Sequence, residues 1–516
     1  MVMNDKDINT NLIKKTIQLI VFAFVAKGFG FIREMILAYY YGESTISDVY
    51  IAVQNIPAII FSLFGVAVTT GFIPIYSELN IKRGKKIADK FTNNVFNIFI
   101  IVSILMTLLG IIFSKQLVSI FVGGFKEETL ELCNNFAKII MPISVAIILV
   151  YVYNAYLQIQ GEFNQNSLMN LPYNICQIVF IYLAYHINNI YLLAVGILLA
   201  SFSQLAYLHF LMKKHTNFKY EKYVNFRDPN ILQILILVGP VFISTGVNQL
   251  NSIIDRALAS GLLEGSVSAL SYSSEVSNIV TQVIILSLTT ILYPKMTKLF
   301  ISNDNLKKRE FTERYVNIVS VIVFPLSILV FMFSKECVEI LFGRGAFNEE
   351  TVVFVSKALK VYAIGIVGAS FRDVLNRVFY AMKDTVTPMV NGVITVLCNI
   401  ILNFSLVGTY GYLGLAFSTS ISATMCTLLM FIQLRRKMND LNVVFILREF
   451  IKVLFAIIVM LGTLYILREF IIINSDIVRC VVLGGIASMI YIIILLATKE
   501  TLIIEIFNKI KIKITK

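Results

Sequence analysis

Residues 163–212 read FNQNSLMNLPYNICQIVFIYLAYHINNIYLLAVGILLASFSQLAYLHFLM, with no aspartate, glutamate, lysine or arginine. A helix needs about 20 mostly apolar residues to cross the hydrocarbon core of a bilayer. This stretch is therefore long enough for two spans and a tight turn. Residues 385–434 form a second charge-free stretch of the same kind. Such lengths exceed those of buried helices in soluble domains, and they predict an all-α polytopic membrane protein.

The composition supports this prediction and excludes several functional classes. The chain is 57% hydrophobic and 15% charged, with a mean hydropathy of +0.80, whereas soluble domains carry about 25% charged residues. The net charge of +13 lies at the ends of apolar segments, so we expect no nucleic-acid partner. The spacings of cysteine and histidine suggest no metal site, and no phosphate-binding loop or nucleophile motif is found. We therefore expect no enzymatic activity and no cofactor.

Apolar length and charged breaks predict about fourteen transmembrane helices. Their expected limits are 14–40, 47–78, 91–113, 136–159, 164–185, 189–212, 231–260, 268–298, 315–333, 352–382, 386–407, 411–434, 450–470 and 478–498. Basic clusters at residues 82–86, 213–227, 307–309 and 435–437 all fall on one side under this count. The positive-inside rule then places both termini in the cytoplasm. We expect a bacterial plasma membrane protein.

An internal repeat divides the predicted spans. The charge-free stretch between Glu162 and Lys213 recurs between Asp384 and Arg435, shifted by 222 residues at both ends. The sequence thus predicts two six-helix lobes in parallel orientation, at 1–222 and 223–440, as in many transporters. Two further helices follow at 441–498. The tail at 499–516 alternates apolar and basic residues and is predicted to be an amphipathic cytoplasmic segment.

Ionisable residues inside predicted spans are costly, by about 2.5–3.5 kcal/mol each on insertion scales, and they usually face a cavity or a partner. For Arg33 we expect a cavity role, because Glu34 points about 100° away around the helix and because the arginine fork suits phosphate oxygens. Asp373 and Arg377, at i and i+4, can form a structural pair. The full set comprises Lys27, Arg33, Glu34, Asp255, Arg256, Glu275, Arg372, Asp373 and Arg377.

Several segments resemble the MurJ (MviN) family of lipid II flippases, and the resemblance covers nearly the whole chain. The segments are Gly30-Phe31-Ile32-Arg33-Glu34 with Gly42 and Ser47-Asp48, Gly71-Phe72-Ile73-Pro74, Asp255 with residues 263–268, Thr290-Ile291-Leu292-Tyr293-Pro294, and residues 379–388. The resemblance implies the fold of the multidrug/oligosaccharidyl-lipid/polysaccharide exporter superfamily. It also implies that undecaprenyl-diphosphate-linked peptidoglycan precursor moves from the inner to the outer leaflet by alternating access.

The resemblance also implies site residues. Arg33 matches an arginine of the family's cationic cavity, Lys27 stands where another basic residue is usual, and Glu34 and Asp48 match acidic positions. The chain departs from the family at Ile59-Ile60-Phe61-Ser62 and at Ser274-Glu275, where the family usually carries arginine. Our hypothesis is that Arg256, Arg372 and Arg377 supply the missing charge, so the expected diphosphate ligands are Arg33, Lys27, Arg256, Arg372 and Arg377.

Other functions stay open from the sequence. The cargo could be another lipid-linked repeat unit, for capsule, exopolysaccharide or teichoic acid. An ion-coupled small-molecule exporter would instead use Asp48, Asp255 and Glu275, with Glu34 as a further acidic cavity residue, to bind sodium or protons. A scaffold without transport is a fourth alternative. For the flippase, the membrane potential or a coupling ion would provide the drive, and the partners would be the lipid-linked oligosaccharide, the bilayer and cell-wall synthesis enzymes.

Overall fold

The computed structural model describes residues 5–162, 164–301, 304–471, 473 and 475–514. Helices make up nearly all of this part of the chain, and no strand occurs in it. The chain packs as two compact units. One unit comprises Met1–Ser268 with Gly345–Phe347, and the other comprises Ala269–Arg344 with Asn348–Lys516.

The first unit contains eleven α-helices and one π-helical turn. They are α1 (Asp5–Tyr41), α2 (Thr45–Ala67), the π-helical turn (Val68–Phe72), α3 (Ile73–Arg83), α4 (Lys85–Ile112), α5 (Ser114–Val122), α6 (Glu127–Ile140), α7 (Ile143–Ile159), α8 (Gln165–Leu168), α9 (Asn170–His186), α10 (Tyr191–His215) and α11 (Pro229–Ser260). The last helix begins at an aspartate cap, since the Asp228 side chain accepts a hydrogen bond from the Asn230 N–H.

The second unit contains the remaining helices, apart from the first turn of α12, which belongs to the first unit. They are α12 (Ser266–Ile301), α13 (Asn305–Met332), α14 (Ser334–Phe342), α15 (Glu349–Ala381), α16 (Val386–Tyr410), α17 (Tyr412–Lys437), α18 (Val443–Phe470), α19 (Asp476–Ala497) and α20 (Thr501–Ile514). Small residues let α15 and α17 approach closely, because a Cβ added to Gly368 would lie 2.7 Å from the Thr424 backbone nitrogen.

Every predicted span coincides with a helix or a broken helix of the structure. Within the described residues, nine helices are long and apolar enough to cross a membrane. A tenth candidate is α6 with α7, a pair bent by 47°. The all-helical polytopic fold is thus confirmed, while the number of fourteen crossings stays a prediction. The expected single span at 47–78 is interrupted by the π-helical turn, which lies just before Pro74.

A core of the first unit is formed where the π-helical turn, α3, α4, α7, α10 and the start of α11 meet. The rings of Phe72 and Phe91 stack with centroids 5.7 Å apart, and both side chains are buried. Gly65 allows a close approach there, because a Cβ at this position would lie 2.5 Å from the Tyr151 ring. Between lipid-embedded helices such contacts stabilise mainly through van der Waals packing.

Helix α11 belongs to the first unit by its packing, although the sequence repeat assigns it to the second lobe. The Gln249 amide donates to the Ser62 hydroxyl at 3.0 Å, and the Gly124 N–H donates to the Ser260 hydroxyl at 3.1 Å. The two units are defined by packing, whereas the lobes were predicted from the internal repeat. The lobe limits of 1–222 and 223–440 therefore stay predictions.

The last helices form a cluster on α13 and α14. Met460 of α18 and Leu483 of α19 are fully buried there. The tail predicted at 499–516 contains α20, which follows a fully buried glutamate. The Glu500 carboxylate accepts hydrogen bonds from the Asn317 amide at 2.6 Å and from the Leu502 and Ile503 N–H groups at 3.0 and 2.8 Å. The start of the tail is therefore fixed to α13.

Candidate functional site

A polar cluster lies among α1, α2 and α9 inside the first unit. Its centre is Arg33, whose guanidinium bonds to the carboxylate of Glu34. The two side chains are only 14% and 15% exposed. The expectation from the helical angle that Glu34 would not serve Arg33 was therefore wrong. Both side chains are long enough to bend towards each other from adjacent positions.

Helix α9 supplies the second partner of Arg33. The Nη1 of Arg33 donates to the Asn174 Oδ1 at 3.3 Å, while the Asn174 amide nitrogen donates to the Asn170 carbonyl at 2.8 Å. That second bond fixes the amide so that its oxygen faces the arginine. Asn174 is 5% exposed. Arg33 is thus oriented by a neutral residue 141 positions away in the sequence.

Two further bonds join α2 to α9 around this arginine. The Tyr50 hydroxyl donates to the Gln177 Oε1 at 2.8 Å, and the Gln54 amide donates to the Tyr173 hydroxyl at 3.4 Å. Tyr50 and Gln54 lie at i and i+4, so both face the same side of α2. The charge in this cluster comes from α1, and the neutral hydrogen-bonding groups come from α2 and α9.

Two atoms of the central pair have no hydrogen-bond partner among the described residues. These are the Nε of Arg33 and the Oε2 of Glu34, and both are buried. Buried polar groups without partners cost about 1–3 kcal/mol each and are rare in native structures. An N–H donor on a buried, permanently charged guanidinium is suited to an anionic acceptor such as a phosphate oxygen. The cluster therefore offers one buried cationic donor to an anion, while Glu34 balances the charge of Arg33 and leaves one acceptor beside it.

Lys27, the other basic residue expected on α1, lies on the exposed surface of the helix. It precedes Arg33 by six residues, which corresponds to about 9 Å along the axis and a different face. The first unit also contains Asp255 and Arg256 on α11. Asp255 accepts a hydrogen bond from the Asn251 amide at 3.1 Å, and the Nη1 of Arg256 is buried without a hydrogen-bond partner in the described part of the chain.

Asp48 has both carboxylate oxygens occupied. It accepts hydrogen bonds from the backbone N–H groups of Gly265 at 2.9 Å and Ser268 at 2.7 Å, and it is 2% exposed. It therefore caps the start of α12, where an anion is favoured by the free N–H groups. The structure gives this acidic residue a definite structural role, whereas its predicted part in coupling stays a prediction.

Glu43, which the sequence did not single out, lies next to this cap in the turn between α1 and α2. Burial, together with the nearby acids Asp48 and Glu264, raises the pKa of Glu43 to about 8. The pKa of Glu264 is lowered by hydrogen bonds from the Thr45 hydroxyl and backbone N–H. Gly265 has a φ of +82°, and a Cβ there would overlap the Glu43 side chain.

The other predicted residues lie in the second unit. Glu275 of α12 and both Arg372 and Arg377 of α15 are half-buried. Arg372 contacts the adjacent Asp373 at 3.4 Å. Arg377 follows Arg372 by five positions, so the two side chains leave the helix about 140° apart. Within the described residues, no group of three or more histidine, cysteine, aspartate or glutamate side chains could hold a metal ion.

A family model described as "Lipid II flippase MurJ" matches residues 37–483. The chain belongs to the lipid II flippase MurJ family. This confirms the resemblance stated from the sequence motifs. A "Probable lipid II flippase MurJ" of Rickettsia prowazekii is 27% identical over 416 residues, which cover 80% of this chain and 82% of that protein. Another, from Buchnera aphidicola subsp. Schizaphis graminum, is 27% identical over 94% of this chain and 96% of its own length.

Solved structures show the same fold. A lipid II flippase MurJ in an inward closed conformation aligns with a TM-score of 0.80, covering 95% of this chain and all of that one, at 22% identity. An inward-facing multidrug transporter of the MATE family aligns with a TM-score of 0.68 over 83% of this chain and 98% of its own, at 14% identity. This chain thus shares its fold with that solved MurJ and, less closely, with that MATE family transporter.

Proposed function

We propose that this chain is a transporter that moves lipid II, the undecaprenyl-diphosphate-linked peptidoglycan precursor, from the inner to the outer leaflet. Curated MurJ-family relatives matching most of the chain carry this activity in their names. The observation within the molecule that supports the proposal is the buried guanidinium of Arg33, which keeps an N–H without a partner in the described residues. A diphosphate supplies the acceptor oxygens that such a donor requires.

In this proposal the protein lies in the bacterial plasma membrane with both termini in the cytoplasm. The basic clusters at residues 82–86, 213–227, 307–309 and 435–437 then all face the cytoplasm, as the positive-inside rule requires. Arg33 would hold the diphosphate. Lys27, which lies on a different face of α1, and Arg256, Arg372 and Arg377 stay the candidates for further positive charge along the path of the cargo. Contact with cell-wall synthesis enzymes is part of the proposal.

The drive for outward movement would come from the membrane potential or from a coupling ion. An inside-negative potential favours outward movement of an anion by about 2.3 kcal/mol per charge per 100 mV. If sodium or protons are coupled instead, the candidates are the acidic residues Glu34, Asp48, Asp255 and Glu275. Collapsing the potential with an ionophore at constant pH and sodium separates these two sources.

Complementation tests the cargo. A bacterium depleted of its own lipid II flippase would express this chain, its Arg33→Ala variant, or a matched Arg435→Ala variant whose arginine is exposed at the end of α17. We expect rescue by the parent and by Arg435→Ala, and no rescue by Arg33→Ala at equal membrane abundance. No rescue by a well-inserted parent would contradict the lipid II assignment and would favour another lipid-linked polysaccharide unit.

A further inference from the structure

The segment between α10 and α11, residues 216–228, is held in a fixed extended course by three asparagines of α4. Asn93, Asn94 and Asn97 are 1%, 0% and 7% exposed. The Asn93 amide donates to the Lys219 carbonyl at 3.0 Å and accepts from the Glu221 N–H at 2.9 Å. Side-chain amides therefore take the place that a neighbouring strand would occupy.

The other two asparagines extend this pairing along the segment. The Asn97 amide donates to the carbonyls of Glu221 and Tyr223 at 3.0 and 3.1 Å. The Asn94 amide accepts from the Asn225 N–H at 2.6 Å and donates to the Asn225 carbonyl at 3.0 Å. The backbone is thus bonded to α4 at Lys219, Glu221, Tyr223 and Asn225, which fixes the positions of the side chains along the segment.

Two aromatic side chains of the segment also pack against the helices of the first unit. The Phe218 ring lies 5.1 Å from the Tyr156 ring, and Lys90 lies over the Tyr223 ring at 4.4 Å from its centroid. The Tyr220 hydroxyl also faces α4, since it donates to the Asn97 Oδ1. Other side chains of the segment are exposed. Lys222 is exposed, Val224 is 45% exposed and Phe226 is 60% exposed.

The exposed charged residues of the segment and of the end of α10 are mostly basic. Residues 213–227 contain the basic residues Lys213, Lys214, Lys219, Lys222 and Arg227, all exposed, and a single acid, Glu221. The same end of α4 begins at the basic run Lys82-Arg83-Gly84-Lys85-Lys86. Exposed apolar and aromatic side chains interleaved with lysine and arginine are typical of surfaces that lie against anionic lipid headgroups.

We propose that residues 219–227 form a docking surface for anionic phospholipid headgroups of the leaflet next to this end of α4. The basic side chains contact the phosphates, and Phe226 and Val224 enter the boundary between headgroups and acyl chains. The asparagines fix the backbone beforehand, so less conformational entropy is lost on binding. The leaflet is the cytoplasmic one if the orientation proposed above is right, but the lipid preference itself does not depend on the cargo.

Native mass spectrometry of the purified full chain in detergent tests this proposal. The protein is titrated with phosphatidylglycerol, and with phosphatidylcholine of the same acyl chains. The test variant carries Lys219→Gln, Lys222→Gln and Arg227→Gln. The matched control loses the same charge elsewhere, through Lys115→Gln, Lys138→Gln and Lys357→Gln, three exposed lysines outside this surface.

We expect the parent and the control variant to prefer phosphatidylglycerol equally. The test variant should lose about 100-fold in phosphatidylglycerol affinity, with little change for phosphatidylcholine, because each of the three basic residues contributes about fivefold near an anionic surface. Equal loss in both variants, or no loss in either, would overturn the proposal. So would displacement of the lipid by 10 mM inorganic phosphate, since that would indicate a simple anion site.

Two single substitutions separate the parts of the surface. Phe226→Ser leaves the charges in place and should lower phosphatidylglycerol affinity about threefold. Asn97→Ala keeps every exposed side chain of the segment. It removes the bonds to the Glu221 and Tyr223 carbonyls and the bond from the Tyr220 hydroxyl, three in all, so we expect a similar loss. Affinity unchanged by Asn97→Ala would contradict the role given to the fixed backbone. Rescue in the flippase complementation assay is a separate readout, so the two proposals can fail independently.

Discussion

The Glu449 clamp of the second unit and the Arg33 cluster of the first unit both hold charged side chains away from solvent, and they differ in how completely those charges are satisfied. In the second unit, one Glu449 carboxylate oxygen accepts from Lys452 at 2.8 Å and from Arg448 at 3.2 Å. The other accepts from the Thr501 N–H at 3.1 Å. In the first unit, Arg33 and Glu34 bond to each other but keep Nε and Oε2 without hydrogen bonds in the described residues.

If the proposed function is correct, the charge at Glu449 has a structural use and the charge at Arg33 has a ligand-binding use. Breaking a buried, fully bonded pair leaves a charge without its partner, which is strongly destabilising. In the Arg33–Glu34 pair, two buried polar atoms already lack hydrogen-bond partners among the described residues, so part of this destabilisation is present before any substitution. Substitution at the Glu449 clamp should therefore change stability, and substitution at the Arg33 cluster should change ligand binding.

The largest effect should come from Glu449→Ala. It removes the acceptor of Lys452 and of the backbone at the start of α20, and we expect a loss of about 3 kcal/mol in unfolding free energy. Thermal unfolding in detergent measures it. Glu469→Ala, at an exposed position at the end of the same helix, serves as the control and should stay within about 0.5 kcal/mol of the parent. An equal melting temperature for the two variants would contradict the structural role given to Glu449.

Next in size, Arg33→Ala should lower lipid II affinity about 10- to 100-fold, because hydrogen bonds to charged groups contribute about 1.5–3 kcal/mol. Its unfolding free energy should fall much less than that of Glu449→Ala. Arg33→Lys keeps the charge but loses the planar fork, so its affinity should lie between those of the parent and the alanine variant. An Arg33→Ala protein that binds lipid II normally would exclude this residue from the site.

A smaller effect is expected for Asn174→Leu, which removes the acceptor that orients Arg33. One hydrogen bond contributes about 0.5–1.5 kcal/mol, so lipid II affinity should fall about 3- to 10-fold. Asn174→Asp keeps the acceptor but adds a negative charge beside the guanidinium. It should restore the orientation of Arg33 and still weaken binding of an anion. Binding by Asn174→Asp that is stronger than that of the parent would contradict an anion site.

A further prediction concerns Glu43 and the pH dependence of stability. Because the pKa of Glu43 is raised to about 8 in the folded state, the folded protein binds more protons than the unfolded chain between about pH 4.5 and 8. Stability should therefore fall as the pH rises through this window and stay level above it. Melting temperatures of the parent and of Glu43→Gln between pH 5 and 9 measure the slope, which should be shallower in the variant.

The sequence predicted the helices well and the side-chain contacts poorly. Charge-free stretches such as 163–212 define spans because the thickness of the bilayer sets their length. The break at Val68–Phe72 was missed, since a π-helical turn does not interrupt an apolar run. The number of crossings and the limits of the lobes stay predictions.

The candidate site was predicted only through its charges. Arg33 was singled out because an arginine inside a span is conspicuous, but Asn174 and Gln177 were overlooked because neutral amides are common in membrane helices. Their spacing of three residues on an otherwise apolar helix was the available signal. The contacts that join them to Arg33 and Tyr50 span more than 120 residues of sequence, so no local pattern could show them.

The most direct test measures binding and stability on the same four proteins: the parent, Arg33→Ala, Glu449→Ala and the double variant. Lipid II affinity is measured in detergent by native mass spectrometry, and melting temperature in the same buffer. The account predicts that Arg33→Ala loses affinity but little stability, that folded Glu449→Ala loses stability but keeps its affinity, and that the effects add. A loss of stability with Arg33→Ala as large as that with Glu449→Ala, together with unchanged lipid II affinity, would contradict it.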